Sequence, residues 1–297
     1  MKRLLILLGL VFLALLVTFG LTRPVSLPAS VLPQHDSDVA NGERLFFAGG
    51  CKSCHGSADT ETDAAGLGGG LAMNTPFGTF HVPNISPHPT LGIGSWTTLD
   101  FVSAMHAGVS PDGRHYYPSF PYASYTRMSF EDLMDLKSYL DTLPEVTNVN
   151  AAHELKFPWN IRAGIGFWKL FNLDSSPVIP LPEDSDLLTR GRYLVEGPGH
   201  CGECHTPRNR MGGLDYSRWL AGAPNPEGEG KVSNITPAKD GLAEWSAGDI
   251  EYYLESGLTP DYDTVGSSMV DVQENMARLP AEDRAAIAAY LKIIPAR

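Results

Sequence analysis

Two pentapeptides, Cys51-Lys52-Ser53-Cys54-His55 and Cys201-Gly202-Glu203-Cys204-His205, hold all four cysteines of this chain, and they stand 150 residues apart. Few folds accommodate that pattern. A framework of two disulfides is the resort of chains too small to build a core, whereas 297 residues suffice for two ordinary domains. A thioredoxin-like redox pair needs a βαβ setting, and the flanking sequence reads as helix and loop without strands. A zinc knuckle needs four ligands gathered locally, and neither cluster has a second close Cys or His pair. In an exported chain, Cys-x-x-Cys followed at once by His is the attachment signature of a covalent c-type haem. Two thiols one helical turn apart reach the two vinyl groups of a porphyrin, and the next residue projects an imidazole at the iron. Cys51, Cys54, Cys201 and Cys204 are therefore expected to carry two haem c groups, with His55 and His205 as proximal iron ligands.

Export is legible at the N-terminus. Lys2 and Arg3 precede residues 4–21, which carry no charge and are followed by Arg23 and Pro24. At about 1.5 Å per residue this run just spans the hydrocarbon core of a bilayer. A cleaved signal peptide is the alternative. The run is longer than a usual signal-peptide core and no clear A-x-A site follows, so residues 1–22 read as an uncleaved signal anchor. Lys2 and Arg3 stay in the cytoplasm, which places the remainder on the periplasmic side of the inner membrane.

The register between the two cysteine clusters extends over most of the chain. Asn84-Ile85-Ser86-Pro87 matches Asn234-Ile235-Thr236-Pro237; Trp96, Asp100 and Gly108 match Trp245, Asp249 and Gly257; Tyr139-Leu140 matches Tyr290-Leu291. The expected organisation is a membrane helix (1–22), a linker (23–38), one haem domain (39–150), an aromatic-rich connector (151–185) and a second haem domain (186–297). Each copy reads as all-α. Thr97-x-x-Asp100, Ser246-x-x-Asp249 and Ser129-x-x-Asp132 are helix-opening signals. Helical periodicity follows in Phe130, Leu133, Met134, Lys137 and Leu140, and in Ile287, Leu291 and Ile294. Helix also surrounds each cysteine pair, over 41–48 and 189–196. Long Gly/Pro-rich segments (66–89 and 222–237) argue that something other than side chains fills the middle of each copy.

A low-spin haem needs a sixth ligand, and a Met thioether raises the potential. In the first copy Met128, just before a capped helix, is preferred. Met73 comes too early, and Met105 and Met134 fall within helical patterns where Met usually fills core space. His81, His88, His106 and His115 are fallback ligands. In the second copy Met269 is preferred over Met276, with Met211 too close to the motif; His200 is the other histidine there. The two choices are not in register, since Met269 falls near Phe120 rather than Met128.

The stretches around Pro83-Asn84-Ile85-Ser86-Pro87, Gly108-Val109-Ser110-Pro111-Asp112-Gly113-Arg114 and Phe120-Pro121-Tyr122-x-x-Tyr125-x-x-Met128 carry a family likeness, as does Phe157-Pro158-x-Asn160-x-Arg162. On these the chain resembles the cytochrome c subunits of membrane-bound bacterial dehydrogenases for alcohols, aldehydes and sugar acids such as gluconate. The resemblance implies two tandem cytochrome c-like domains passing electrons from a dehydrogenase catalytic subunit towards a quinone or a terminal oxidase. Many such subunits carry three haems, and many have Met where Phe120 stands. Trp96 and Trp245 are expected to contact haem propionates or to pack beside the haem. The aromatic residues of 157–171 are read as inter-domain packing or as a dock for the catalytic subunit.

Composition trims the alternatives. Lys plus Arg total 22 and Asp plus Glu 34, a net charge of −12, which disfavours nucleic acid and suits a basic redox partner. A dihaem peroxidase has similar motif spacing but needs an iron with an open sixth position. A thiosulfate-oxidising cytochrome needs a further Cys. An electron-relay subunit of an oxidase complex stays open beside a dehydrogenase subunit.

Overall fold

The computed structural model describes residues 2–56, 66–182, 185–225 and 230–297. It is mostly helical, and two similar sets of helices follow an N-terminal helix. The first set is α2 (Val39–Ala48), α3 (Cys51–His55), α4 (Thr98–Ala107), α5 (Tyr122–Tyr125) and α6 (Phe130–Leu140). After α7 (Gly164–Asn172) comes the second: α8 (Asp186–Glu196), α9 (Gly202–His205), α10 (Ala247–Ser256), α11 (Met269–Met276) and α12 (Ala281–Ile293).

Each set is organised by one close helix crossing. α2 packs on α6 and α8 packs on α12. The crossings occur at Gly42 and Gly191, where an added Cβ would meet the carbonyl oxygens of Asp135 and Ala286 at 2.1 and 2.0 Å. Glycine is the residue that lets two backbones approach so closely. Around these crossings form two apolar clusters. One holds Leu45, Phe46, Val102, Leu133 and Leu136; the other holds Leu194, Val195, Ile250, Ile287 and Leu291.

The capping expectations hold in detail. Thr97 and Ser246 each accept from the amide three residues on, and Asp100 and Asp249 bond back to the cap amides, satisfying orphan donors at both ends of the box. Gly108 and Gly257 close α4 and α10 in the left-handed region (φ 60° and 75°). Ser129 accepts from Asp132 N and opens α6.

The expectation that the copies have no strands needs correction. β1 (Ala72–Thr75) and β2 (Gly78–His81) form a hairpin, and β3 (Glu154–Leu155) pairs antiparallel with β2. A second small pair joins β4 (Ala223–Pro224) to β5 (Lys231–Val232). These strands are four residues or fewer, too short for alternation to show in the sequence. β3 stitches the start of the connector onto the first half.

The N-terminal helix α1 (Lys2–Thr22) has 21 residues with a mean hydropathy of 2.9 over its apolar window, and none of the described residues of that window is buried. It is long and apolar enough to cross a membrane. Its C-terminal end is not free, because Thr22 O bonds to His115 Nε2 at 2.8 Å and touches Gly166 of α7.

Candidate functional site

The first cysteine turn is set by backbone geometry. α2 ends at Ala48, Gly50 turns the chain in the left-handed region (φ 54°), and Cys51 opens α3. Cys51, Cys54 and His55 therefore lie on one short helical turn. In the second half His200 occupies the place of Gly50 and also has positive φ (37°), a conformation costly for a side-chain-bearing residue. Its ring stacks on Tyr125 from the first half, with centroids 5.6 Å apart and planes 21° apart. None of the four cysteines is in a disulfide. Burial pushes the Cys51 and Cys201 thiols up to about 12.

Both histidines are held alike. His55 Nδ1 lies 2.8 Å from Pro83 O, and His205 Nδ1 lies 2.8 Å from Ser233 O, 150 residues along. A carbonyl can only accept, so Nδ1 carries the proton and the Nε2 lone pair is left for a metal. Burial holds both pKa values below the ordinary histidine range, with the carbonyl bonds opposing it. The imidazoles are thus neutral, as ligation requires.

The segments that carry these carbonyls are themselves braced. Asn84 Nδ2 donates to Val146 O at 2.7 Å while its Oδ1 accepts from Ser86 N. Asn234 repeats the arrangement with Arg297 O at 2.8 Å and Thr236 N. The sequence match Asn-Ile-Ser/Thr-Pro is a loop clasp that fixes the orientation of the imidazole.

Beside the first turn lies a narrow apolar crevice lined by Leu45, Cys51, Met105, Tyr125, Met128 and Leu136, among others. Met128 is 4% exposed and shares this wall with Cys51, as a thioether ligand to a group attached there must. Met105 faces the same space as wall. The donor set therefore fits a covalent porphyrin: two thiols and a neutral imidazole on one turn, an apolar wall, and a sulfur in that wall.

The fallback histidines are otherwise engaged. His81 Nε2 meets Glu154 Oε1 at 3.0 Å, His88 Nδ1 takes the Leu91 amide, His106 lies against the Phe130 ring and His115 bonds to Thr22 O. In the second half Met269 opens α11 and is half-buried, while Met276 is buried in the cluster that includes Cys201. Met276 corresponds to Tyr125: Leu279 N bonds to Met276 O as Met128 N bonds to Tyr125 O. Its place is that of a wall residue. Trp96 and Trp245 are half-buried, each packed against the cluster of its own half.

The sequence reading missed the contacts between the halves. Ser124 of α5 bonds to Glu203 inside the second cysteine turn, and Asn275 of α11 bonds to Ser53 inside the first. A Cβ at Gly49 would stand 3.6 Å from Pro198 O, so the two backbones pass close to one another there. The two cysteine turns thus face one another, each clasped by the helix that precedes the other half's last helix. No motif announces this, because the middle residues of Cys-x-x-Cys are free to vary.

With this geometry in view, known proteins supply a context. The cytochrome c family model matches residues 39–144. A dihaem cytochrome c-type protein of Cereibacter sphaeroides is 52% identical over 97% of both chains. The fructose dehydrogenase cytochrome subunit of Gluconobacter japonicus is 36% identical over 91% of this chain and 54% of its own length. The gluconate 2-dehydrogenase cytochrome c subunit of Pantoea cypripedii is also 36% identical, over 89% of this chain and 61% of its own. Against these two subunits the chain spans a little over half their length.

Proposed function

This chain belongs to the cytochrome c family, and from that premise we propose that it is a membrane-anchored, periplasmic dihaem cytochrome relaying single electrons from a dehydrogenase towards a quinone or an oxidase. Haem c, when bound, supplies one electron of redox capacity per iron without making or breaking bonds to a substrate. The chain's own residues attach, ligate, orient and shield it.

The observation that carries the reading is the repeated cysteine turn in which each imidazole is tied through Nδ1 to a carbonyl at 2.8 Å. Cys51, Cys54, Cys201 and Cys204 are the covalent anchors, His55 and His205 the proximal ligands. Met128 and Met269 complete the coordination. Trp96 and Trp245, each half-buried against the cluster of its own half, would supply indole N–H donors to the propionates of the haem. The two haem domains are residues 39–150 and 186–297, joined by the connector 151–185; the parallel helix crossings at Gly42 and Gly191 support this division.

Relatives such as the fructose dehydrogenase and gluconate 2-dehydrogenase subunits are named as cytochrome subunits of their complexes. A thioether at both irons leaves no open position for peroxide, which sets the relay role above a peroxidase. α1 is the anchor, and the net charge of −12 favours a basic docking face on the redox partner.

The test is haem stoichiometry and reactivity on the purified full chain. Two haems per chain that survive denaturing electrophoresis, together with no peroxide turnover in the half-reduced state, are expected. One haem, or steady peroxide consumption, overturns the reading.

A further inference from the structure

The connector aromatics were expected to pack between the halves or to form a dock for a catalytic subunit. Only Trp168 packs between the halves, at 8% exposed, with its indole N–H donated to Met211 O at 3.0 Å. Phe157 is 79% exposed, Trp159 50%, Phe167 49% and Phe171 65%; Ile161 and Leu170 are also exposed. So many large apolar side chains in one stretch of a charged protein mark a surface that meets something.

Their arrangement identifies what. Ala163, Phe167, Leu170 and Phe171 recur at i, i+4, i+7 and i+8, one continuous face of α7, and all are exposed. The opposite face is buried by Trp168 and Asn172. Lys169 is the single charged residue of α7, and its ammonium is turned inward onto the carbonyls of Ala107 and Gly108 at 2.6 and 2.7 Å. The exposed face therefore carries no charge.

The flank between those faces is Gly166, which lies directly on the last turn of α1. A Cβ there would meet Thr22 O at 1.9 Å. Arg162 Nη1 donates to His115 O at 2.7 Å, and His115 in turn bonds to Thr22 O at 2.8 Å, so the start of α7 is tied to the same point. A helix of 21 residues covers about 30 Å, the thickness of the hydrocarbon core. If Lys2 and Arg3 mark one side of that core, Thr22 stands at the other boundary. Whatever packs against Thr22 stands there too.

We propose that α7 and the preceding turn 157–161 lie in the headgroup–acyl boundary of the bilayer that α1 crosses, as a second membrane attachment. The inference rests on the reading of α1 as a membrane-spanning helix. The apolar face of α7 is turned into lipid, and Trp159 takes the interfacial position that its amphipathic ring favours. No Lys or Arg lines the face, so attachment comes from apolar burial rather than from anionic lipid. Through the contact of Trp168 with Tyr122 (ring centroids 6.2 Å apart), this attachment also fixes how α5 and the first cysteine turn stand relative to the membrane.

The test uses the full haem-loaded chain in phosphatidylcholine vesicles doped with a phosphatidylcholine bearing a diazirine at the top of one acyl chain. After illumination, adducts are mapped by mass spectrometry. Adducts are expected on α1 and on 157–172, unchanged in high salt and when phosphatidylglycerol is included. In a Phe167→Ser/Leu170→Ser/Phe171→Ser variant with unchanged haem content, the yield on 157–172 is expected to fall at least about tenfold while that on α1 stays. Adducts on α1 alone leave the anchor reading standing and overturn the interfacial one, giving the face to a protein partner. Adducts on neither segment overturn both. Labelling of 157–172 that the serine variant does not reduce also overturns the proposal.

Discussion

Ser124 Oγ donates to Glu203 Oε1 at 2.9 Å, joining the short helix before Met128 to the interior of the other half's cysteine turn. The contact has a counterpart, Asn275 Nδ2 to Ser53 Oγ at 3.1 Å, and both partners correspond in the repeat. The two halves therefore grip each other at the residues that set where the two cysteine turns lie. Glu203 is 13% exposed and is held as well by Arg208 at 2.7 Å. A hydrogen bond to a carboxylate in such a place is worth more than one between neutral, exposed groups. A double-mutant cycle of Ser124→Ala with Glu203→Gln should give a coupling of about 1 kcal/mol or more by denaturant unfolding. The Asn275→Ala/Ser53→Ala cycle should give less. Equal or reversed couplings contradict this ranking.

Gly42 and Gly191 carry the second prediction. Each brings two helix backbones together where a methyl group has no room, against Asp135 O and Ala286 O. Both lie inside helices, where alanine is ordinarily the better residue by up to about 1 kcal/mol. Here the sign reverses. Gly42→Ala and Gly191→Ala should each destabilise by roughly 1–3 kcal/mol, the usual cost of overpacking. Gly164→Ala, on the same kind of helical background but with open space at its Cβ, should be neutral or stabilising. A neutral Gly42→Ala in thermal melts would show that the crossing relaxes.

Much of this was written in the sequence at the level of single residues with strict geometric demands. The cysteine turns, the capping boxes at Thr97 and Ser246, the glycines at the crossings and the Asn-Ile-Ser/Thr-Pro clasps recur because each performs one local task in both copies. What stayed hidden depends on the relation between copies or between layers. His200 replaces Gly50 in a left-handed turn because its ring has a stacking partner, Tyr125, that lies 75 positions back in the chain. Met276 occupies the wall position of Tyr125, so counting methionines before the last helix could not separate ligand from filler. The exposure of α7 was illegible for a similar reason. An aromatic stripe looks the same whether it faces a core or the outside of the protein, and only the exposure of Phe167, Leu170 and Phe171 in the folded chain distinguishes them.

Replacing Met128 should lower one midpoint potential and leave the other close to its original value. Met128 shares the apolar wall with Cys51, and a thioether ligand raises the potential of a His-ligated haem. In Met128→Ala the weak far-red absorption of the iron–sulfur bond should fall by about half, and Met269→Ala should remove the other half. Met276→Ala, a change to the wall, should cost stability, about 2–5 kcal/mol for a buried Met, while keeping that absorption. Loss of the absorption in Met276→Ala but not in Met269→Ala would transfer the second ligand to Met276.

Lys169 gives a prediction in pH. Its ammonium donates to Ala107 O and Gly108 O at the C-terminal end of α4 and sits 4.8 Å from the centre of the Tyr122 ring. Burial pulls its pKa from the ordinary 10.5 down to about 7. The neighbouring His115 is held below the usual histidine range, chiefly by burial, and Lys169 adds to that effect. A base with a depressed folded-state pKa holds fewer protons folded than unfolded between the two values, so stability rises with pH across that window. The stability of the wild type relative to Lys169→Met should therefore grow from about pH 6 to about pH 9. At the lower pH the buried charge costs most, and the methionine keeps the packing. The carbonyls and the helix terminus argue for the opposite balance, since they favour the charged form. A difference between the two proteins that stays flat over the range would mean that these acceptors outweigh burial and keep Lys169 protonated throughout.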